Sequence, residues 1–239
     1  HAALWYHLEL ALPGSDLDRV LSDLPGESDD RVISLYHYRK RYDVYFLPRL
    51  KAVLDGTDGL WLAYWGDEAK KYDVFDLLAG EGFVRTGTLP YAHLDNPIYA
   101  YRYDRASALQ DVITRFGDSI TLRRIDFPAE AAPGDDLPVL LWWDADAPIP
   151  EDYTVSAFLL DSSGVLRAQD DAFPANGDAP TSAWTPGAFV FDGHTLALPD
   201  DLPPGAYTVG VKLYTWWDQA ILPAAGGHDY WTAGTVTVR

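Results

Sequence analysis

Hydrophobic and polar positions alternate with a period of two through much of the second half of the chain. In PVLLWWDA, Val139, Leu141 and Trp143 fall on one side, and Leu140, Trp142 and Asp144 on the other. In TVSAFLL, Val155, Ala157 and Leu159 alternate with Ser156, Phe158 and Leu160. Near the end, Tyr207, Val209, Val211 and Leu213 oppose Thr208, Gly210 and Lys212. This period, rich in β-branched and aromatic residues, marks paired strands. Strands are predicted near 118–127, 137–145, 153–161, 164–169, 187–198, 205–215 and 233–239. Pro133-Gly134, Ser163-Gly164, Asn176-Gly177, Pro186-Gly187, Pro203-Pro204-Gly205 and Gly226-Gly227 punctuate them. About seven short strands without helical period over residues 116–239 predict an immunoglobulin-like β-sandwich.

The first half follows another pattern. ALWYHLELAL (3–12) reads as a strand, Ser15 caps a helix ending at Pro25-Gly26, and RVISLYH (31–37) fits a buried strand. Val44, Leu47, Leu50 and Leu54 recur at helical spacing, with Pro48 in their first turn. GLWLAYW (59–65) is a strand. The stretch 67–80 is a helix with Tyr72, Phe75, Leu78 and Ala79 on one face, and 83–89 and 98–103 are two further strands. Strands alternating with helices predict an α/β module over residues 1–105, in the manner of a partial doubly wound unit. Residues 106–115 are expected as a linker within a connecting helix, DRASALQDVITRF. The fold class is therefore α/β plus all-β.

Charge narrows the partners. Of a formal −18, residues 1–105 carry 12 Lys/Arg against 17 Asp/Glu, and residues 106–239 carry 6 against 19. An acidic surface repels phosphate backbones, so a nucleic-acid partner is not expected. Without cysteine, thiol catalysis, zinc-thiolate sites and disulfides drop out together. A translated chain starts with Met, so a sequence opening at His1 and lacking Met is expected to be a trimmed or processed piece. No run of about 18 apolar residues suggests a membrane span. No Gly-rich phosphate loop follows the first strand, and no cofactor is expected.

Three stretches carry a family resemblance: FGDSITLRRIDFP (116–128), APGDDLPVLLWWDADAPIPEDYTVSAFLLDSSGVLRAQDD (132–171) and PTSAWTPGAFVFDGHTLALPDDLPPGAYTVGVKLY (180–214). They resemble the sandwich at the carboxyl end of bacterial polytopic membrane glycosyltransferase-like proteins, similar to the dolichyl-phosphate-mannose protein mannosyltransferase group. RVISLYHYRKRYDVYFLPRL (31–50), DGLWLAYWGDE (58–68) and LLAGEGF (77–83) resemble the small α/β module that follows the last membrane helix there. The resemblance implies a soluble, extracytoplasmic portion of a larger membrane enzyme, attached through transmembrane segments upstream. The family's catalytic acids lie in an amino-terminal loop with no counterpart in this chain, so no catalytic residue carries over. The chain is then accessory and not itself an enzyme, with a glycan or protein acceptor as partner. Two other readings stay open: an independent carbohydrate-binding module, and a hydrolase or transferase with a site in the interdomain cleft.

Candidate residues follow from the strands. Because side chains alternate, Trp142 and Trp143 cannot both face the core, nor can Trp216 and Trp217 if that segment is extended. With Trp231 and Trp184 in or beside loops, the outward indoles are candidates for glycan binding: a flat ring takes a sugar's C–H face, and nearby carboxylates take its hydroxyls. The competing reading is that each outward Trp packs against the α/β module or a neighbouring loop. Asp144-Ala-Asp146 fits the DxD pattern of nucleotide-sugar transferases, and with Asp152 and Glu151 it could hold a divalent cation. A short acidic pattern arises easily by chance among 36 acids. Gly117-Asp118-Ser119 matches the nucleophile block of GDS-type esterases, but it opens a sandwich strand. The six histidines (1, 7, 37, 93, 194 and 228) show no metal-binding spacing. Arg39-Lys40-Arg41, the only basic cluster, suits a lipid headgroup or a solvated helix start.

Overall fold

The computed structural model describes residues 51, 54–65, 74–91 and 98–239. The elements expected at 3–12, 15–24 and 31–37, most of those at 44–54 and 67–73, the basic cluster at 39–41 and His1, His7, His37 and His93 lie outside the described residues. The chain divides into two compact units, His1–Ala108 and Leu109–Arg239.

In the first unit, β1 (Gly59–Trp65), α1 (Val74–Gly80), β2 (Phe83–Tyr91) and β3 (Ile98–Arg105) follow in order. The sheet order is β1-β3-β2, and β3 is antiparallel to both neighbours. A doubly wound unit needs parallel neighbours, and no described pair here is parallel. Val74 and Leu78, four apart on α1, bury one helical stripe against Leu54, Phe83 and Tyr103. A bulge between Arg85 and Gly87 turns Thr86 inward, and its hydroxyl donates to buried Asp104 at 2.5 Å. The Arg102 guanidinium grips the same carboxylate through Nε (3.1 Å) and Nη2 (2.7 Å). Asp104 is thus a satisfied structural charge.

Residues 104–115 are not a helix. β3 runs to Arg105, a single 3-10 turn spans Ala106–Leu109, and β4 (Thr114–Phe116) already belongs to the second unit's sheet. Thr114 pairs with Leu122, so the β-branched Ile113-Thr114 step follows strand preference.

The second unit is a β-sandwich. One antiparallel sheet has the order β10 (Val190–Ala197), β7 (Asp136–Ala145), β5 (Ile120–Asp126), β4. The other runs β6 (Glu130–Ala131), β13 (Trp231–Val238), β11 (Gly205–Tyr214), β8 (Thr154–Leu160), β9 (Leu166–Ala172), with β12 (Ile221–Leu222) beside the end of β11. All seven strands expected from alternation are present, and the short β4, β6 and β12 are additions. β5 and β6 follow each other in sequence but lie in opposite sheets, and β6 pairs parallel to the end of β13. The core lies between Leu137, Val139, Leu141 and Trp143 of one sheet and Val155, Ala157, Leu159, Val209, Val211 and Leu213 of the other.

At the entry to β11, the Tyr207 hydroxyl donates to the Pro203 carbonyl at 2.7 Å, fastening the preceding corner to the strand. Tyr207→Phe is expected to destabilise the sandwich by about 1 kcal/mol, the net worth of one such bond, as read by urea unfolding. An unchanged midpoint would mean that water replaces the lost bond at no cost.

Candidate functional site

β11 and β12 form a hairpin whose tip, 215–220, is a turn rather than the extended segment that would have buried one indole. Trp216 and Trp217 are both open to solvent, 64% and 55% exposed. The turn beneath them is densely bonded. Thr215 N–H donates to the Ala220 carbonyl (3.0 Å) and Gln219 N–H to the Thr215 carbonyl (2.9 Å). The Gln219 side-chain amide donates to the Trp216 carbonyl (2.8 Å). Asp218 Oδ1 accepts from the Thr215 hydroxyl and, at 3.1 Å, from Ala220 N–H. Chiefly that hydroxyl bond, then the Ala220 amide, holds the Asp218 carboxyl below its ordinary range, so the tip carries a fixed negative charge. Gln219 takes the left-handed conformation, φ +59°, that closes the turn. The result is a held turn presenting two indoles with a carboxylate between them and the strand.

The other tryptophans stand elsewhere. Trp142 and Trp143 do point to opposite faces, yet both are buried. Outward-facing Trp142 is covered by its two cross-strand neighbours: Phe191 lies edge-on at 5.2 Å, and the Arg124 guanidinium sits 4.9 Å from its ring centre. Trp143 fills the core between Phe116 (5.8 Å) and Trp184 (6.4 Å). Trp184 is itself buried, its Nε1–H donating to the Ala179 carbonyl at 2.8 Å. Trp231 begins β13 opposite Val211 and packs half-buried against the core. Of the five tryptophans expected at a glycan surface, Trp216 and Trp217 are the freely exposed ones.

The acidic candidates for a metal are engaged separately. Asp144 is gripped by Arg123 through Nε (3.1 Å) and Nη2 (2.9 Å), a contact aimed by a bulge between Leu122 and Arg124. Asp146 pairs with Arg115, and Asp152 Oδ1 accepts from Ser182 N–H at 3.0 Å. Among the described residues no three His, Asp or Glu gather to hold a metal ion. Gly117 is explained by the β4–β5 turn: its φ is +54°, and a Cβ there would meet Leu222 Cδ1 at 2.6 Å. Turn geometry therefore accounts for the Gly-Asp-Ser string. All five arginines of the unit are ion-paired: Arg115, Arg123, Arg124 with Asp126, Arg167 with Asp161, and Arg239 with Glu130.

One polar cluster escaped the sequence reading. On β10, Asp192, His194 and Leu196 alternate into the core, and His194 is only 1% exposed. Its Nε2 lies 3.1 Å from Asp192 Oδ2, which also accepts Trp143 Nε1–H at 3.3 Å. Asp192 Oδ1 accepts Ala175 N–H at 2.9 Å. On its other side, His194 Nδ1 lies 3.2 Å from Asp170 Oδ2 on β9, an ion-pair contact. Asp170 Oδ2 also accepts Thr195 N–H (3.0 Å), joining the edge strands of the two sheets. Burial pushes the His194 pKa down, but Asp192 and Asp170 outweigh it and raise it to about 10. The neighbouring His194, helped by Thr195 N–H against burial, holds Asp170 below the ordinary carboxylate range. The Asp-x-His spacing on a core-facing period was the available signal. This closed cluster is a structural clamp.

No protein-family model matches the chain, and no curated protein matches it. Solved structures with some likeness include the C-terminal domain of wzt, at 11% identity and TM-score 0.40, covering 54% of this chain and 79% of that one. A Niemann-Pick type C2 protein from Japanese carpenter ant follows at 7% identity and TM-score 0.35, covering 54% and 99%. The CARDB domain of a Pyrococcus furiosus protein, solved with di-metal ions, gives 13% identity and TM-score 0.32, covering 52% and 94%. Likeness at this level carries no functional argument. No helix among the described residues is long and apolar enough to cross a membrane.

Proposed function

We propose that this chain is a non-catalytic, extracytoplasmic accessory portion of a membrane glycosyltransferase-like protein, and that its Trp216–Trp217 tip contacts a glycan acceptor. The first half of the reading rests on the sequence resemblance of the segments quoted above. The second rests on one observation: two adjacent indoles are held exposed on a rigid turn, where burial would have been the stable choice. The ionised Asp218 at that tip disfavours insertion into a bilayer and suits a hydroxyl-rich ligand. Within the same reading, the first unit is a small α/β module and the sandwich is of immunoglobulin-like type. The crossing from β5 in one sheet to β6 in the other, the parallel contact of β6 with β13 and the Tyr207 corner support that type.

The test is a glycan array probed with the wild-type chain and a Trp216→Ala/Trp217→Ala double variant. Binding that drops at least about tenfold in the variant is expected, the size of losing one or two stacking contacts. Equal binding by the two would sink the glycan contact. If the array stays silent but a protein acceptor is bound through the same indoles, the accessory role stands with a protein partner. Upstream of His1, the reading frame is expected to encode several apolar spans of about 20 residues. A frame without them would leave an independent carbohydrate-binding module.

A further inference from the structure

The face of β8 and β11 turned away from the core has an unusual construction. Phe158 points outward there, opposite Gly210, yet it is buried. Its ring occupies the space a side chain at 210 would take: a Cβ on Gly210 would come within 2.4 Å of it. Glycine inside a strand costs stability and marks a close approach, here of the Phe158 ring to the backbone. Tyr230 stands edge-on to that ring at 5.3 Å and is itself 41% exposed, so Phe158 is the backing that holds an exposed tyrosine. Tyr214 lies four residues past Gly210 on β11 and three past Val211, the partner of the Trp231 that follows Tyr230, and it is held in a similar manner. The Lys212 ammonium lies 5.0 Å from its ring centre, and burial, then Asp171 of β9 one strand beyond β8, push the pKa of its hydroxyl up. Two residues past Tyr214 the chain reaches Trp216.

Two fixed tyrosine rings, with polar groups between them and two indoles at the end, make a track rather than a point contact. Running from Tyr230 past Tyr214 to the tip, it suits a short chain of sugar rings rather than a single ring. Its charge selects among such chains: the unit carries 19 acids against 6 bases, the five arginines are already paired and the single lysine, Lys212, lies against the Tyr214 ring, so the net field repels a polyanion. We infer that the side chains of Tyr230, Lys212 and Tyr214, which lie over the buried Ser156 and Phe158 of β8, seat an extended, uncharged glycan chain that continues to the Trp216–Trp217 tip. The inference rests on the glycan-contact reading above and names its ligand class.

Calorimetric titration with neutral hexasaccharides (cello-, manno- and malto-hexaose), their disaccharides and hexagalacturonate tests it. At least one neutral hexaose is expected to bind about tenfold or more tighter than its disaccharide. Tyr230→Ala and Tyr214→Ala should each remove about that advantage and leave disaccharide binding unchanged. Tyr230→Phe and Tyr214→Phe, which keep the rings, should retain it and show that the fold is intact. The Trp216→Ala/Trp217→Ala variant should weaken both lengths. Equal affinity for the two lengths, wild-type behaviour of the tyrosine-to-alanine variants, or preference for hexagalacturonate would each overturn the track while leaving the tip contact standing. Absence of binding to every neutral saccharide would overturn the tip contact as well.

Discussion

Replacing Asp192 with alanine is expected to destabilise the sandwich by about 3–5 kcal/mol, the usual cost of stripping one partner from a buried charge pair. The carboxylate accepts from Trp143 Nε1, lies against His194 Nε2 and accepts Ala175 N–H. Its loss leaves a cation and two N–H donors inside the molecule at once. At the entropy change typical of a unit this size, the melting temperature should fall by roughly 10–20 °C. Asp192→Asn should cost less, because an amide oxygen still meets one donor and Asp170 still faces His194. If both variants melt like the wild type, water enters the cluster and the clamp carries no load. The same cluster sets a pH dependence. The His194 pKa is raised in the folded chain, from 6.5 to about 10, so its contribution is complete below 6.5 and drains away as pH climbs toward 10. The Asp170 pKa is lowered, so its contribution is present above the ordinary 3.8 and is lost on acidification. Stability from these two groups is therefore greatest between about pH 4 and 6.5 and declines by a few kcal/mol toward pH 10. His194→Gln should flatten the alkaline limb. A wild-type melting curve already flat from pH 7 to 10 would show that the imidazole is neutral.

Trp143→Ala is the second large effect, about 3–5 kcal/mol from the cavity left between Phe116 and Trp184. Part of the cost is polar, since Asp192 loses a donor. Trp143→Phe separates the two: it restores most of the ring and none of the hydrogen bond. A phenylalanine variant as unstable as the alanine one would put the weight on the Nε1–H contact, and a phenylalanine variant close to wild type would put it on volume. Trp216→Ala supplies the contrast, because an exposed indole with no packing partner should change stability by less than about 0.5 kcal/mol. Urea midpoints of the three variants decide the matter.

Much of the sandwich could be read along the chain because alternation is a local signal, and Val139-Leu141-Trp143 and Val209-Val211-Leu213 display it without interruption. β4, β6 and β12 could not be read, since two or three residues have no period. In the 104–115 segment only one 3-10 turn forms before Thr114 pairs with Leu122, a partnership across the sheet that no local pattern reports. The tryptophans illustrate a different limit. Alternation put Trp142 and Trp143 on opposite faces, but the cover over outward Trp142 comes from Phe191 and Arg124, whose adjacency is set by strand pairing across the sheet. Trp216 and Trp217 depended on whether residues 215–220 extend or turn, and the Thr215–Asp218 bonding that turns them is a pattern of side chains, not of hydrophobicity.

The pairing of every arginine in the sandwich has a colloidal consequence. A guanidinium on one molecule can pair with a carboxylate on another, and here the five guanidinium groups are already paired within the sandwich. What remains facing outward is largely unbalanced acid, whose mutual repulsion extends about 8–10 Å at physiological ionic strength. Copies at high concentration would therefore repel one another, and the repulsion would weaken as salt is added.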